Sequence, residues 1–196
     1  MVARTAHPVS RISHLEPMSR CVQIHTIGHS TRAQHDLIAL LQKFTIQLLL
    51  DVRTVPRSRH VPHFNCEVLA AALEKEGIEY RSFKQLGGLR KPVADSPNAG
   101  WRNASFRGFA DYMQSEAFWS ATAEVIRSAA EKRVALMCAE AVPWRCHRSL
   151  IADALVVMGH EVRHIISATE VRVHEVTPFA SVQGKRITYP LPGTLV

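Results

Sequence analysis

Long apolar runs, regularly spaced cysteines and internal repeats are all missing from this 196-residue chain. No stretch approaches the roughly 18–20 apolar residues that a membrane-spanning helix needs, so no membrane partner is expected. The four cysteines, Cys21, Cys66, Cys138 and Cys146, follow no regular spacing and make no disulfide framework. A reducing, cytoplasmic setting is therefore expected. The first twenty residues carry Arg4, Arg11 and Arg20 but no apolar core, unlike a secretory signal, and residues 1–21 are expected to form a flexible extension. No low-complexity tract interrupts the remainder.

What is present suits one globular domain with a substantial core: 46% of the residues are hydrophobic and 21% charged. The formal net charge is +7, which favours an anionic partner, either nucleic acid or a phosphorylated small molecule. A generally basic protein surface accounts for the same charge equally well.

The chain alternates between strand-like and helix-like patterns. Val22–Ile27 reads as a first strand, and Gly28-His29-Ser30-Thr31 leads into a helix ending near Phe44, with Thr31 and Gln34 at capping-box spacing. The continuous apolar run Ile46–Val52 implies a strand buried on both faces. Asn65 is placed to cap a helix over Glu67–Glu76, stopped by Gly77, and Ile78–Phe83 reads as a third strand. Gly87–Ser105 is rich in Gly, Pro, Asn and Ser and is expected to be a mobile cover over a binding pocket. Helices are predicted over Gly108–Met113 and Glu116–Lys132, then a strand from Val134, a helix ending at Gly159 and a last strand near Val162–Ile165. This alternation predicts an α/β fold: a single domain over residues 22–168 with a mainly parallel sheet, helices on both faces and Rossmann-like layering. Residues 169–196 are expected to be an irregular C-terminal segment packing on that domain.

In such a sheet, functional side chains gather beyond the carboxyl ends of strands. Three predicted strand ends are polar: Gly28–Thr31, Asp51–Ser58 and Cys138–Arg148. The last is the densest, with Cys138, Glu140, Arg145, Cys146, His147 and Arg148 around a Pro-containing loop that opens a helix. Cys138, at a strand end near cationic residues, is the first candidate for a reactive thiolate, with a buried, inert thiol as its equal alternative. His147 suits a general base because imidazole titrates near neutrality. Asp51 and Glu140 suit acid or base work if they face one pocket, and Asp51 serves equally as an ion-pair partner of Arg53 or Arg57. His29, Ser30, Thr31, Arg53, Arg57, Arg90, Arg107, Cys146 and Arg148 are candidates for binding an anion, the guanidinium groups by bidentate contact with phosphate or carboxylate. Aromatic residues near these arginines, among them Phe64, Trp101, Phe106 and Trp144, could stack a base, with packing as the plainer role.

The motifs TIGHST (Thr26–Thr31), DVRTVPRS (Asp51–Ser58), LGGLR (Leu86–Arg90), FRGFADYM (Phe106–Met113) and MCAEAVPWRCHRSLIAD (Met137–Asp153) resemble, in order, those of the domain-of-unknown-function 488 family, DUF488. That resemblance implies no established reaction. A weaker similarity to rhodanese-like domains rests on Asp51-Val52-Arg53 and on Cys138 leading through a loop to a helix that ends at Gly159. It implies sulfur transfer only by analogy, since a longer loop with Pro143, Trp144 and a second cysteine replaces the compact rhodanese cradle.

Cys138, Cys146 and His147 could supply three tetrahedral zinc ligands. The eight-residue step between the cysteines lacks the Cys-x-x-Cys spacing of structural zinc sites, and no Pro-Cys-x-x-Cys motif occurs for a His-x-Glu to pair with, so no metal is assigned. No cofactor or oligomeric state is legible. The leading reading is an enzyme acting on an anionic substrate, a nucleotide, nucleic acid or phosphorylated molecule, through Cys138, Glu140, His147 and Asp51. Its rival is a non-catalytic nucleic-acid-binding module.

Overall fold

The computed structural model describes residues 20–191 and 193. The extension expected over residues 1–21 lies, up to residue 19, outside the described residues. Six strands form one sheet: β1 (Gln23–Gly28), β2 (Leu48–Asp51), β3 (Glu79–Ser82), β4 (Val134–Cys138), β5 (Glu161–Ile165) and β6 (Val171–Val173), in the order β3-β2-β4-β1-β5-β6. The first five run parallel, and β6 joins β5 antiparallel. Helices α1 (Gln34–Lys43) and α2 (Cys66–Lys75) cover one face, and α3 (Ala104–Tyr112), α4 (Glu116–Glu131) and α5 (Arg148–Val157) the other.

The period of two along each strand divides the core. Leu48 and Leu50 of β2, with Val134 and Leu136 of β4, pack towards Phe109, Phe118, Val125 and Leu150. Leu49, Ala135 and Met137 face Leu37, Leu41, Leu69 and Leu73 on the opposite side. A strand loaded on both faces must be apolar throughout, which is why Leu48–Asp51 and Val134–Cys138 are continuous buried runs.

β1 and β4 are neighbours, yet their following helices leave for opposite faces, α1 to one and α5 to the other. Diverging connections open a crevice at the carboxyl ends of these strands. The ladder continues into it: His29 N donates to Cys138 O at 3.0 Å and Ser30 N to Ala139 O at 2.8 Å.

Several boundaries differ from the sequence expectations. The predicted capping box at Thr31 does not form; α1 begins at Gln34 behind Ala33, with no side-chain cap. The extended ladder and a turn closed by Arg32 N on His29 O (3.1 Å) use up the intervening residues, and Gln34 Nε2 donates to His63 O instead. Asn65 does precede α2, but its side chain accepts from Ser58 N (2.8 Å) and fastens the preceding loop. The expected cover Gly87–Ser105 is pinned to the body. The Asp111 carboxylate accepts from Val93 N, Ser96 Oγ and Asn98 Nδ2, and Gly100 N donates to Tyr189 O. α3 also starts earlier than predicted, capped by Asn103. The C-terminal segment is more regular than expected: it supplies β6 and a hairpin of β7 (Ser181–Gln183) and β8 (Arg186–Thr188). Among the described residues, no helix is long and apolar enough to cross a membrane.

Gly28 marks where the crevice closes behind β1. A Cβ there would lie 1.8 Å from Glu140 O, a backbone atom that cannot swing aside. Gly28→Ala should therefore destabilise the protein by about 2–3 kcal/mol through displacement of the β4–α5 loop. Urea unfolding checks this, and an unchanged midpoint would show that the loop yields freely.

Candidate functional site

The connection from β4 to α5 passes through a tight 3-10 turn, Pro143–Arg145, that folds Cys146 back beneath Cys138. Both thiols are buried, Cys138 at 7% exposure and Cys146 at 3%, and both line a cavity of about 320 Å³. Ligand atoms of Cys138, Cys146 and His147 lie within 4.8 Å of one another. The cavity wall adds Thr54 and Val55 after β2, Gly88 and Leu89, Asn103 with Phe106 at the start of α3, and the charged side chains Arg53, Glu140 and Arg145.

The two sulfurs are not equivalent. Interaction with the neighbouring Cys146 sulfur holds Cys138 well above the usual thiol range, and burial pushes the same way. The same pairing with Cys138 holds Cys146 well below the usual range against the cost of burial, with His147 and Arg148 adding to the effect. The geometry agrees: His147 Nδ1 lies 3.6 Å from Cys146 Sγ, and Arg148 Nε donates to the same sulfur at 3.4 Å. Cys146 also precedes α5, whose N-terminal dipole favours a thiolate. Among the described residues His147 Nε2 is buried without a partner, so the imidazole proton belongs on Nδ1, where the sulfur can accept it.

Arg148 is fully buried. Beyond Cys146 it donates to Glu140 O at 2.5 Å and to Thr26 Oγ1 at 3.5 Å, so it braces the loop around the thiols from inside. Arg53 is committed in the same way. It makes paired bonds to Asp51, from Nε to Oδ1 at 2.8 Å and from NH2 to Oδ2 at 2.5 Å, and it also donates to Phe64 O at 2.8 Å. Asp51 accepts from Tyr80 Oη as well (2.7 Å) and lies behind Arg53, outside the cavity lining. His29 completes this group. Burial lowers its pKa to about 4, so at neutral pH it is an uncharged ring donating from Nδ1 to Ser30 O and accepting from Arg53 at Nε2.

Of the candidate residues, the structure brings Cys138, Glu140, Cys146, His147 and Arg53 to one cavity, with Arg148 directly behind it. Ser30 and Thr31 are outside its lining. Arg57 pairs with Glu67 on the surface, Arg90 lies 3.8 Å from the Tyr112 ring centroid, and Arg107 reaches back to Trp101 O. Phe64 and Phe106 pack against His29 and Trp101, while Trp144 is exposed beneath Arg172. Sequence reasoning did not single out Gly88, whose missing Cβ leaves room for the His147 ring, or Thr54, whose hydroxyl accepts from Leu89 N. Nothing in spacing or charge distinguishes those positions beforehand.

The donor separations would admit a metal ion on Cys138, Cys146 and His147, but the surroundings fit one poorly. Ligation through His147 Nδ1 would move the ring proton to Nε2, where no acceptor exists, whereas a ligating histidine ordinarily donates its other N–H. Arg148 moreover already supplies a cation to the Cys146 sulfur.

The family profile described as "Domain of unknown function DUF488" matches residues 34–155, more than half of the chain. The chain belongs to the DUF488 family. Comparison with curated proteins and with solved structures returned no match, so nothing beyond the motif order carries the rhodanese-like similarity. Within this DUF488 chain the matched span runs from the start of α1 to the last turns of α5 and contains both cysteines and the Asp51–Arg53 pair.

Several buried histidines, His29 and His164 towards this end of the sheet and His25 nearer the other, make the fold acid-sensitive. Burial is the main cause that lowers His25 and His29 to about 4 and His164 to about 3, against an ordinary 6.5. As pH falls below 6.5 the unfolded chain gains protons that the folded chain refuses, so stability is lost on acidification through that window. Urea midpoints should be lower at about pH 5 than at about pH 7, with net proton uptake on unfolding. Equal midpoints would mean that these rings are hydrated and free to protonate in the fold.

Proposed function

We propose that this protein is a thiol-dependent enzyme that acts on a small anionic substrate, phosphorylated or nucleotide-like, with Cys146 as the nucleophile. The observation that carries the reading is the environment of one sulfur: Cys146 Sγ accepts the Arg148 Nε–H, lies 3.6 Å from His147 Nδ1 and sits beside the Cys138 sulfur in the lining of one cavity. A connection built only for packing has no need of a stabilised thiolate, because the thiolate is the reactive form of cysteine.

The roles differ from those expected at the outset. Cys138 keeps its proton and serves as hydrogen-bond donor to the nucleophile, the converse of the order the sequence suggested. Glu140, exposed at the cavity edge, is the carboxylate placed to exchange a proton with substrate or leaving group. His147 orients and polarises the thiolate. Arg145, on the cavity wall and exposed, is the guanidinium that offers contact to an anion, while Arg53 and Arg148 are engaged internally. In the reaction the sulfur lone pair forms a bond to an electrophilic carbon or phosphorus as the bond to the leaving group breaks. The leaving group departs with that electron pair and takes its proton from solvent water. A cavity near 320 Å³ lies at the low end of the roughly 300–1000 Å³ of small-molecule sites, which favours a compact substrate over a tracked nucleic-acid strand.

Site-by-site alkylation with iodoacetamide tests the reading. Cys146 should label first, with a rate that already plateaus near neutral pH, and Cys138 at least ~10-fold more slowly. Cys146→Ser should abolish the fast phase, inorganic phosphate should slow it, and chelator should leave it unchanged. Slow labelling of Cys146 in folded protein would remove the nucleophile, and labelling released only by chelator would make the site a metal centre.

A further inference from the structure

We infer that Thr26, His164, His174 and Asp153 are positioning residues that hold the Arg148 guanidinium against the Cys146 sulfur, through one hydrogen-bond chain with a single direction of donation. The inference rests on the proposed role of the Cys146 thiolate and names the machinery that keeps it charged.

The chain is continuous. Asp153 Oδ1 lies 2.8 Å from His174 Nε2, His174 Nδ1 lies 2.9 Å from His164 Nε2, and His164 Nδ1 lies 2.7 Å from Thr26 Oγ1. Thr26 Oγ1 then meets Arg148 NH1 at 3.5 Å, the longest link to oxygen or nitrogen, and Arg148 Nε reaches Cys146 Sγ at 3.4 Å. Thr26 and Asp153 are wholly buried, and His164 and Arg148 nearly so. No residue of the chain was a candidate from sequence except Arg148, because the links join β1, α5, β5 and the segment after β6.

Proton placement follows from the two fixed ends. The Asp153 carboxylate, which also accepts from Thr177 N and Tyr189 Oη, can only accept, so His174 donates from Nε2. At the other end Arg148 can only donate to Thr26 Oγ1, so the Thr26 hydroxyl gives its proton to His164 Nδ1, and a neutral His164 then donates from Nε2 to His174 Nδ1. The Thr26 oxygen is then left with lone pairs for Arg148, which can only donate. Burial keeps His164 far below its ordinary pKa, with His174 and Arg148 adding to the effect, so its neutral form persists through the working pH range. A buried carboxylate thus sets two tautomers and one hydroxyl rotor. The guanidinium meets a single acceptor arrangement and cannot swing away from the sulfur. Packing alone would require none of this order, since any combination of apolar side chains fills the same volume.

Thr26→Val is the decisive variant: the shape is nearly kept, and only the hydroxyl link is lost. The alkylation pH profile of Cys146 should move up by about one unit, which makes labelling at mildly acid pH about tenfold slower. Thr26→Ser should restore the wild-type profile. His174→Ala cuts the chain two links further out, beside a cavity of about 330 Å³, and should give the same displacement, with added imidazole restoring part of the rate. Imidazole 15N spectra should show His164 and His174 both protonated at Nε2 and bare at Nδ1. A folded Thr26→Val or His174→Ala protein with the wild-type profile would overturn the inference and leave the thiolate reading standing. A wild-type Cys146 with an ordinary thiol profile would overturn both.

Discussion

The buried guanidinium of Arg148 is the constraint around which this end of the molecule is organised. A full positive charge with under 2% exposure is tolerable only if every N–H finds an acceptor and an opposite charge lies close by. The Glu140 carbonyl, Thr26 Oγ1 and Cys146 Sγ supply acceptors, and under the proposed function the anionic form of Cys146 supplies the charge. The thiolate and the guanidinium therefore stabilise one another: protonating the sulfur would leave a cation stranded in the core. This mutual dependence explains why the longer β4–α5 loop has its shape, since the 3-10 turn at Pro143–Arg145 is what brings Cys146 back to within reach of both Arg148 and Cys138.

A second ion pair, Asp51 with Arg53, stands at the end of β2 and does a different job. Its oxygens are already occupied by Arg53 and Tyr80, and its guanidinium by Asp51, Phe64 O and His29. Groups so fully satisfied are poor catalysts and good walls. The pair fixes the main chain just before Thr54 and Val55, which face the cavity, and so gives the crevice a rigid side opposite the thiols. The ring of His29, neutral and clamped between Ser30 O and Arg53, joins this wall to the carboxyl end of β1.

Much of this was legible before any coordinates, and the reason is local. Alternation of short apolar runs with helical patterns dictates a parallel sheet with helices on both faces, and the polar strand ends at Asp51 and Cys138 mark the crevice, because connections that diverge at a carboxyl edge leave it uncovered. Capping was misread at Thr31, where hydrogen bonds past the end of β1 consumed residues that the pattern assigned to a helix. The division of labour between Cys138 and Cys146 was illegible for a deeper reason. Both are small thiols close to arginines in the sequence, and what sets them apart is that the fold-back of eight residues brings Arg148 and His147 to the Cys146 sulfur. His164, His174 and Asp153 were invisible as a group because their proximity is created only by β5 pairing with β6 and by α5 packing beside them.

The arginines carry the same lesson into function. Composition suggested a basic, anion-seeking surface, and guanidinium groups crowd the motifs that define the site. Folding spends most of them internally: Arg53 on Asp51, Arg57 on Glu67, Arg90 on Tyr112 and backbone carbonyls, Arg148 on the thiolate loop. Among the described residues, what remains free at the cavity is Arg145, which lines it together with Glu140 and Cys146. Under the proposed function, one cation, one carboxylate and one stabilised thiolate around a space this small select for a compact molecule with a single anionic group beside its electrophilic centre. A long polyanion would find its phosphates opposed by Glu140 and unmatched by any continuous row of free guanidinium groups lining the cavity.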